Sequence, residues 1–326
     1  MCIATNPAHL SPLQAQLPAE IADLIDDAHT YLNAARADAT KRAYRSDWAD
    51  FTEWTCTRGF ATLPADPAAV ILYIADLAKR CKPSTITRRL SSISIAHQDA
   101  GLPSPTTDQH VRDVVRGIRR TLGTAQREAA PATIAEIRRM VWSLGDSVLD
   151  TRDRALLLVG FAGALRRSEL VALDVGDLED RAEGLTAMIR RSKTDQEGEG
   201  RRIALPFGID PMTCPVRALQ KWTEVAGVAE GAIFRPVNRG GRVGTSRLTD
   251  QTVGLVVKRC ASLAGLDATR FSGHSLRAGF ATTAAAAGAN ERAICNQTGH
   301  RSTAVLRRYV RHGTVFIDNA VGQVGL

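Results

Sequence analysis

The sequence predicts a mainly helical protein with one small β-sheet, divided into two domains. Apolar residues recur at helical spacing along most of the chain, and one stretch in the second half has the two short apolar runs of a hairpin. A length of 326 residues is enough for two domains that each bury a core. The predicted layout is a flexible tail at 1–18, a helical domain at 19–123, a linker at 124–131, and an α+β domain at 132–326 ending in a tail at 313–326.

Residues typical of helix starts and helix ends mark the predicted helix boundaries in the N-terminal half. Asp66 and Pro67 predict an N-cap and a first-turn proline opening a helix over 68–80. Ser84 predicts the cap of a helix over 85–100 that ends at a glycine. A last helix of this half begins at either Thr107 or Asp108, and the sequence does not decide between these two N-caps.

The second half repeats the helical pattern around one interruption. Strand-like runs at 185–190 and 202–205 flank the charged, glycine-containing segment SKTDQEGEG, which predicts a hairpin with a long tip. Helices are expected near 133–144, 151–163, 214–226, 248–264, 274–288, 290–297 and 302–310.

Composition excludes several classes of protein. The chain is 44% apolar and 23% charged, which is typical of globular proteins rather than disordered ones. It has no apolar run of membrane-spanning length and no signal-peptide pattern, so a cytosolic protein is expected. The six cysteines are scattered without zinc-type spacing, so we expect no metal and no cofactor. The net charge of +8 fits a polyanionic partner, or equally an arginine-rich genome.

Arginine and lysine candidates come first along the chain. Arg166 lies in GALRRSEL, where its planar guanidinium suits phosphate oxygens, and Glu169 three residues later can brace it. A surface ion pair is the alternative reading of these two residues. Lys193 lies in the hairpin tip, where an ammonium can donate a proton to a leaving oxygen, or where it can simply be a solvated turn lysine.

Histidines and a tyrosine follow. His274 and Arg277 open a helix at i, i+3 spacing, so both side chains share one face near an anion-favouring helix start. His300 and Tyr309 come next, with Tyr309 preceded by two arginines. The alternatives are a helix cap for His300 and an amphipathic surface anchor for Tyr309. Together the residues predict metal-free breakage and rejoining of a DNA strand.

These motifs, in this order, resemble the tyrosine recombinase (phage integrase) family, with greatest similarity to Cre-like recombinases. The resemblance runs through GALRRSEL, RSKT, GHSLR and the GH at 299–300, and extends into TKRAYRSDWADFTEW of the first half. It implies that Tyr309 attacks the phosphate to give a 3′-phosphotyrosine and that strands exchange through a Holliday junction. It also implies that Lys193 protonates the 5′ oxygen and that His300 donates a hydrogen bond.

The resemblance further implies how the protein assembles on DNA. The helical domain at 19–123 would bind DNA and the α+β domain would be catalytic. A protein monomeric without DNA would clamp double-stranded DNA with inverted-repeat sites and form a homotetramer on two sites, with no membrane partner. The candidate DNA contacts are Arg42, Thr87, Arg88, Arg89, Gln251, Lys258 and Arg259.

The same resemblance bears on the C-terminal tail and on location. The apolar tail packs on its own domain or, by resemblance, docks into a neighbouring protomer. The protein is expected in the bacterial cytosol or nucleoid. Its gene is expected on a bacterial chromosome, a phage or a plasmid.

Two other functions remain open. A type IB topoisomerase or a telomere-resolving enzyme uses the same chemistry, and a non-catalytic sequence-specific DNA-binding protein keeps the fold without it. A metal-dependent phosphatase or nuclease is disfavoured, because the sequence has no metal-type cluster or paired carboxylates for activating water.

Overall fold

The computed structural model describes residues 24–28, 30–31, 38–124, 129–190, 195 and 199–300. The chain divides into two compact units, Met1–Arg127 and Glu128–Leu326. Both units are built mainly from helices and the second also holds a small sheet, so the predicted fold class is confirmed. Lys193, Tyr309, the helix expected at 302–310 and both predicted tails lie outside the described residues.

In the described part of the N-terminal unit, four longer helices follow residues 24–28 and 30–31, which are also helical. The helices are α1 (Asp38–Cys56), α2 (Pro67–Ala78), α3 (Pro83–Asp99) and α4 (Gln109–Leu122).

The helix starts in this unit follow local chemistry. The Asp66 carboxylate accepts the Ala68 N–H at 2.7 Å, which confirms the predicted start of α2. Asp108 rather than Thr107 caps α4, because its carboxylate accepts the His110 N–H at 2.8 Å. The cap predicted at Ser84 is wrong: α3 already begins at Pro83, whose fixed φ and missing N–H suit the first helical residue.

The N-terminal core is aromatic. Phe51 and Tyr73 are fully buried, with ring centroids 5.0 Å apart. The Tyr73 hydroxyl donates to Asp50 at 2.7 Å and accepts from Arg89 at the same distance. This arrangement satisfies the polar end of the buried ring.

The second unit begins with α5 and ends, within the described residues, at His300. Its elements are α5 (Ile134–Trp142), α6 (Val148–Ala162), α7 (Arg167–Ala172), β1 (Leu178–Arg181), β2 (Gly184–Ile189), β3 (Arg201–Pro206), α8 (Pro215–Ala226), α9 (Asp250–Leu263), α10 (Ser275–Ala286) and α11 (Glu291–Thr298). None of the helices in the described part of the chain is long and apolar enough to cross a membrane.

The sheet is antiparallel in the order β1-β2-β3. The predicted hairpin is confirmed, with Leu185 opposite Leu205 and Ala187 opposite Ile203. Strand β1 was not predicted, because its sequence LEDR is largely exposed and carries no apolar alternation. Gly184, at φ +153°, joins β1 to β2 where a Cβ would collide with the Leu205 carbonyl.

Helix α6 is the centre of the second unit. Its residues from Thr151 to Phe161 are buried on nearly all sides, with Arg154 the exception in that run. The helix ends at Ala162, and Ala164 then takes a left-handed backbone conformation at φ +48°. A non-glycine residue in that region is held there by its surroundings, which here are the elements that carry the candidate site.

Candidate active site

Arg166 forms the N-cap position of α7 and is braced by a buried carboxylate. The Glu169 side chain is fully buried, and it accepts the Arg166 backbone N–H at 3.0 Å and Nη1 at 2.5 Å. Arg166 itself is 18% exposed. One carboxylate therefore fixes both the backbone and the guanidinium of Arg166, while its side chain stays partly exposed.

Arg277 lies in the first turn of α10 and is 1% exposed. Its Nη1 donates to the carbonyl of Ala164 at 2.9 Å. The left-handed turn at Ala164 therefore directs a carbonyl at Arg277 two residues before the chain reaches Arg166. A fully buried guanidinium is costly to keep, which marks this residue as one with a task beyond packing.

His274 is the N-cap of α10 and is exposed. The Ser272 hydroxyl accepts its backbone N–H at 3.2 Å, and Ser275 Oγ accepts the Ser272 N–H at 2.9 Å. Gly273 precedes it, where a Cβ would collide with the side chain of Arg167. The tight loop presents His274 at a helix start, where anions are favoured.

His300 follows α11 and a left-handed Gly299. Burial and then the positive charges of Arg277, Arg166, His274 and Arg201 lower the pKa of His300 from 6.5 to about 4. Three sequence-predicted residues from two separate helices thus act electrostatically on a fourth. The structure brings Arg166, His274, Arg277 and His300 together.

The hydrogen bonds of His300 indicate its tautomer. Thr298 Oγ1 lies 2.7 Å from His300 Nδ1, and the same hydroxyl donates to the Ile294 carbonyl at 2.7 Å. The hydroxyl then accepts from Nδ1–H, which assigns the lone pair to Nε2 in the neutral ring. In this tautomer Nε2 of the neutral ring is an acceptor, and the hydrogen bond that the sequence predicted His300 to donate to the DNA stays a prediction.

Arg201 is a site residue that sequence reasoning missed. It is the first residue of β3, and its Nη2 lies 3.2 Å from Glu169 Oε2. Its Nη1 donates to the Gln297 carbonyl at 2.8 Å. The alternation of the strand could have nominated it. Arg201, Ile203 and Leu205 share one face of β3, and the two aliphatic residues are buried.

Several predicted DNA contacts are engaged elsewhere. Arg89 is 14% exposed and pairs with Asp50, while Arg88 pairs with Asp47 at 2.9 Å. Arg259 pairs with Asp150 at 2.7 Å and with Asp153 at 2.8 Å. Carboxylates therefore already pair with Arg88, Arg89 and Arg259, and their contacts with DNA stay predictions.

Other candidates remain at the surface. Gln251 and Lys258 are exposed, two turns apart on one face of α9, and Arg42 is exposed on α1. Thr87 accepts from Arg119 at 3.0 Å at the edge of a groove of about 430 Å³ between α3 and α4. Three arginines that sequence reasoning did not single out also line that groove: Arg112, Arg116 and Arg119.

Acidification should destabilise the folded protein through His300. Between pH 6.5 and about 4 the unfolded chain binds a proton that the folded ring does not, so stability falls as pH decreases across that window. We expect a loss of roughly 1–3 kcal/mol that His300→Gln does not suffer. Denaturant titrations at pH 7 and pH 4.5 measure it, and equal pH dependence in both proteins would contradict the lowered pKa.

Comparison with known proteins identifies the family. Residues 132–314 match the model of the phage integrase family, and that range includes Arg166, Arg277 and Tyr309. The chain belongs to the phage integrase family. Its members are tyrosine recombinases, enzymes that cleave and rejoin DNA.

Relatives match well beyond residues 132–314. An integrase/recombinase XerD homologue of Selenomonas ruminantium is 40% identical over 297 residues, which cover 90% of this chain and 87% of the relative. The recombinase Cre of Escherichia phage P1 is 26% identical over 285 residues, covering 81% and 80%. The predicted family is therefore confirmed and Cre is among the relatives, although the XerD homologue shares more identical residues with this chain than Cre does.

A solved recombinase shares the fold. The XerH site-specific recombinase, bound to palindromic difH substrate in a post-cleavage complex, superposes with a TM-score of 0.59 at 17% identity. The match covers 87% of this chain and 78% of XerH. The fold of this chain is therefore that of a recombinase.

Proposed function

We propose that this chain is a site-specific recombinase in which Tyr309 forms a 3′-phosphotyrosine with DNA and a Holliday junction links the exchanging strands. The observation that carries the proposal is the pair of fixed guanidiniums beside His300, with Arg166 held by the Glu169 carboxylate and Arg277 held by the Ala164 carbonyl. Such a pair fits a phosphate that gains negative charge in its transition state. The family to which the chain belongs supports the same reaction.

The two arginines bind the phosphate. Arg277 is fixed by the Ala164 carbonyl and Arg166 by Glu169, so neither guanidinium has to be ordered when DNA arrives. Both remain protonated throughout the reaction, since arginine is not deprotonated in proteins. They neutralise the extra charge on the pentavalent phosphorus and so favour the transition state over the ground state.

The two histidines divide proton handling. His300, neutral and with its lone pair on Nε2, accepts the Tyr309 proton as the phenol oxygen attacks. His274, exposed at the start of α10, orients a nonbridging oxygen. Lys193 gives its proton to the departing 5′ oxygen. The phosphotyrosine retains the phosphodiester bond energy, so the reverse attack by a 5′-hydroxyl needs neither ATP nor a metal.

Assembly follows from the same proposal. XerH is bound to a palindromic substrate, and we extend that geometry to this chain as inverted repeats bound by two protomers. Two such sites bring four protomers together. Because the substrate is DNA, we expect the protein to act in the bacterial cytosol or nucleoid, on host, phage or plasmid DNA.

A suicide-substrate gel tests the function. A pool of nicked duplexes with randomised inverted-repeat arms is incubated with the protein, and covalent adducts are recovered after denaturation. We expect adducts with a selected sequence. A specific but never covalent complex would support a non-catalytic DNA-binding protein, and relaxation of supercoils without any site preference would support a type IB topoisomerase.

DNA affinity should fall steeply with salt. If several phosphates are neutralised, binding weakens on the order of 10³-fold or more between 50 and 200 mM salt. Lys258→Gln should make the log–log slope about one unit shallower, whereas Lys221→Gln, exposed on α8, should leave it unchanged. Filter binding or fluorescence anisotropy measures both, and a flat salt response would exclude the cationic interface.

A further inference from the structure

The beginning of β3 carries a guanidinium that links three parts of the site. The Arg201 side chain is 19% exposed and contacts Glu169 of α7 and the Gln297 carbonyl at the end of α11. A Cβ on Gly299 would lie 2.6 Å from Arg201 Nε, so the turn that precedes His300 is seated directly on this side chain. Arg201 therefore touches the elements that carry both Arg166 and His300.

The charges explain why this link matters. Arg166 and Glu169 alone form a neutral pair, which is a poor anion receptor. Arg201 contacts the other carboxylate oxygen, so the three groups together carry a net charge of +1 at neutral pH. The same carboxylate still fixes Arg166, but its charge is shared between two cations.

The end of α11 is held from both sides. Gln297 Nε2 donates to the Ala162 carbonyl at 2.8 Å and to the Ala204 carbonyl at 3.1 Å. Its own carbonyl accepts from Arg201 Nη1. These contacts join α11 to the end of α6 and to β3, and Arg201 adds a side-chain contact to the carbonyl of Gln297, three residues before His300.

We propose that Arg201 is a positioning residue of the recombination site, which shares the Glu169 carboxylate with Arg166 and holds His300 beside the same phosphate. The inference rests on the proposed function, because it assigns Arg201 a part in that reaction. Arg201 acts through Glu169 and through the Gly299 turn rather than on the reacting atoms. A methylene chain with one ammonium cannot span both contacts, since they need the two arms of a guanidinium.

The test compares Arg201→Met with Arg202→Met on the nicked duplex selected above. Arg202 is the next residue, 64% exposed and paired with Glu179, and serves as the matched control. We expect Arg201→Met to slow single-turnover formation of the covalent adduct on the order of 100-fold with site binding nearly unchanged. Arg202→Met should cleave at the wild-type rate.

A pH profile separates positioning from plain structural support. Arg166, His274, Arg277 and Arg201 are the charged groups that act on His300. Loss of one of these positive charges should raise the pKa of His300, so the cleavage rate should begin to fall at a higher pH as the solution is acidified. A purely structural defect should instead lower the cleavage rate equally at every pH. Arg201→Lys, which keeps the charge, should retain the wild-type pH dependence but not the full rate.

Each outcome decides the matter. If the wild-type protein forms no adduct, the proposed function fails and the role of Arg201 fails with it. If the wild type cleaves and Arg201→Met matches it in rate and pH profile, only the role of Arg201 is overturned. Should Arg201→Met fail to fold, Arg201→Lys decides: slower cleavage at unchanged binding supports the proposal, and wild-type cleavage overturns it.

Discussion

Replacing Tyr309 by phenylalanine will abolish the covalent protein–DNA adduct and leave site binding within about twofold of wild type. The substitution removes one oxygen atom, which is the proposed nucleophile. The cationic residues that bind phosphate are unchanged, and they supply most of the affinity for DNA. A nicked-duplex gel measures adduct formation, and a band shift on the intact duplex measures binding.

The control for this variant is another phenol in the same chain. Tyr31 is 72% exposed in the N-terminal unit, so Tyr31→Phe should react like the wild type. A Tyr309→Phe protein that still forms an adduct would show that a different side chain attacks. A variant that loses binding as well would show that Tyr309 serves the interface rather than the reaction.

Replacing Arg277 by lysine will slow cleavage by a factor on the order of 10²–10³, with a much smaller change in site binding. Lysine keeps the charge but loses the planar fork, and in this buried position it cannot both donate to the Ala164 carbonyl and reach a phosphate oxygen. The contact that is lost is strongest when the phosphorus is pentavalent, so the effect falls on the rate rather than on affinity.

Arg292→Lys is the matched control, because Arg292 is exposed on the neighbouring helix α11. Single-turnover cleavage with saturating protein separates the rate from binding. Melting curves of both variants show whether Arg277→Lys is folded. Equal cleavage by Arg277→Lys and wild type would contradict the proposed phosphate clamp.

Local rules predicted much of the fold because their causes are local. The caps at Asp66 and Asp108 each join residues two positions apart, and β2 and β3 are consecutive strands whose apolar alternation is visible in each strand's own sequence. Strand β1 escaped prediction because its pairing with β2, rather than its own exposed sequence, makes it a strand.

The candidate site also contains residues that local motifs predict and residues that only distant contacts define. The order of Arg166, His274, Arg277 and His300 was sufficient to nominate them, since each stands in a recognisable local motif. Arg259 pairs with Asp150 and Asp153, which lie more than 100 positions away in the sequence. No local sequence pattern predicts such a pairing. Arg201 was missed for the same reason: its partners Glu169 and Gln297 lie on other elements.

Identifying the residue that is bonded to DNA is the most direct test of the proposed reaction. The adduct is trapped on the nicked duplex, digested with protease and nuclease, and the modified peptide is sequenced by mass spectrometry. The proposed mechanism predicts a nucleotide 3′-phosphate esterified to Tyr309 and a 5′-hydroxyl on the released strand. A 5′-phosphate linkage, or a nucleotide attached to any residue other than Tyr309, would contradict it.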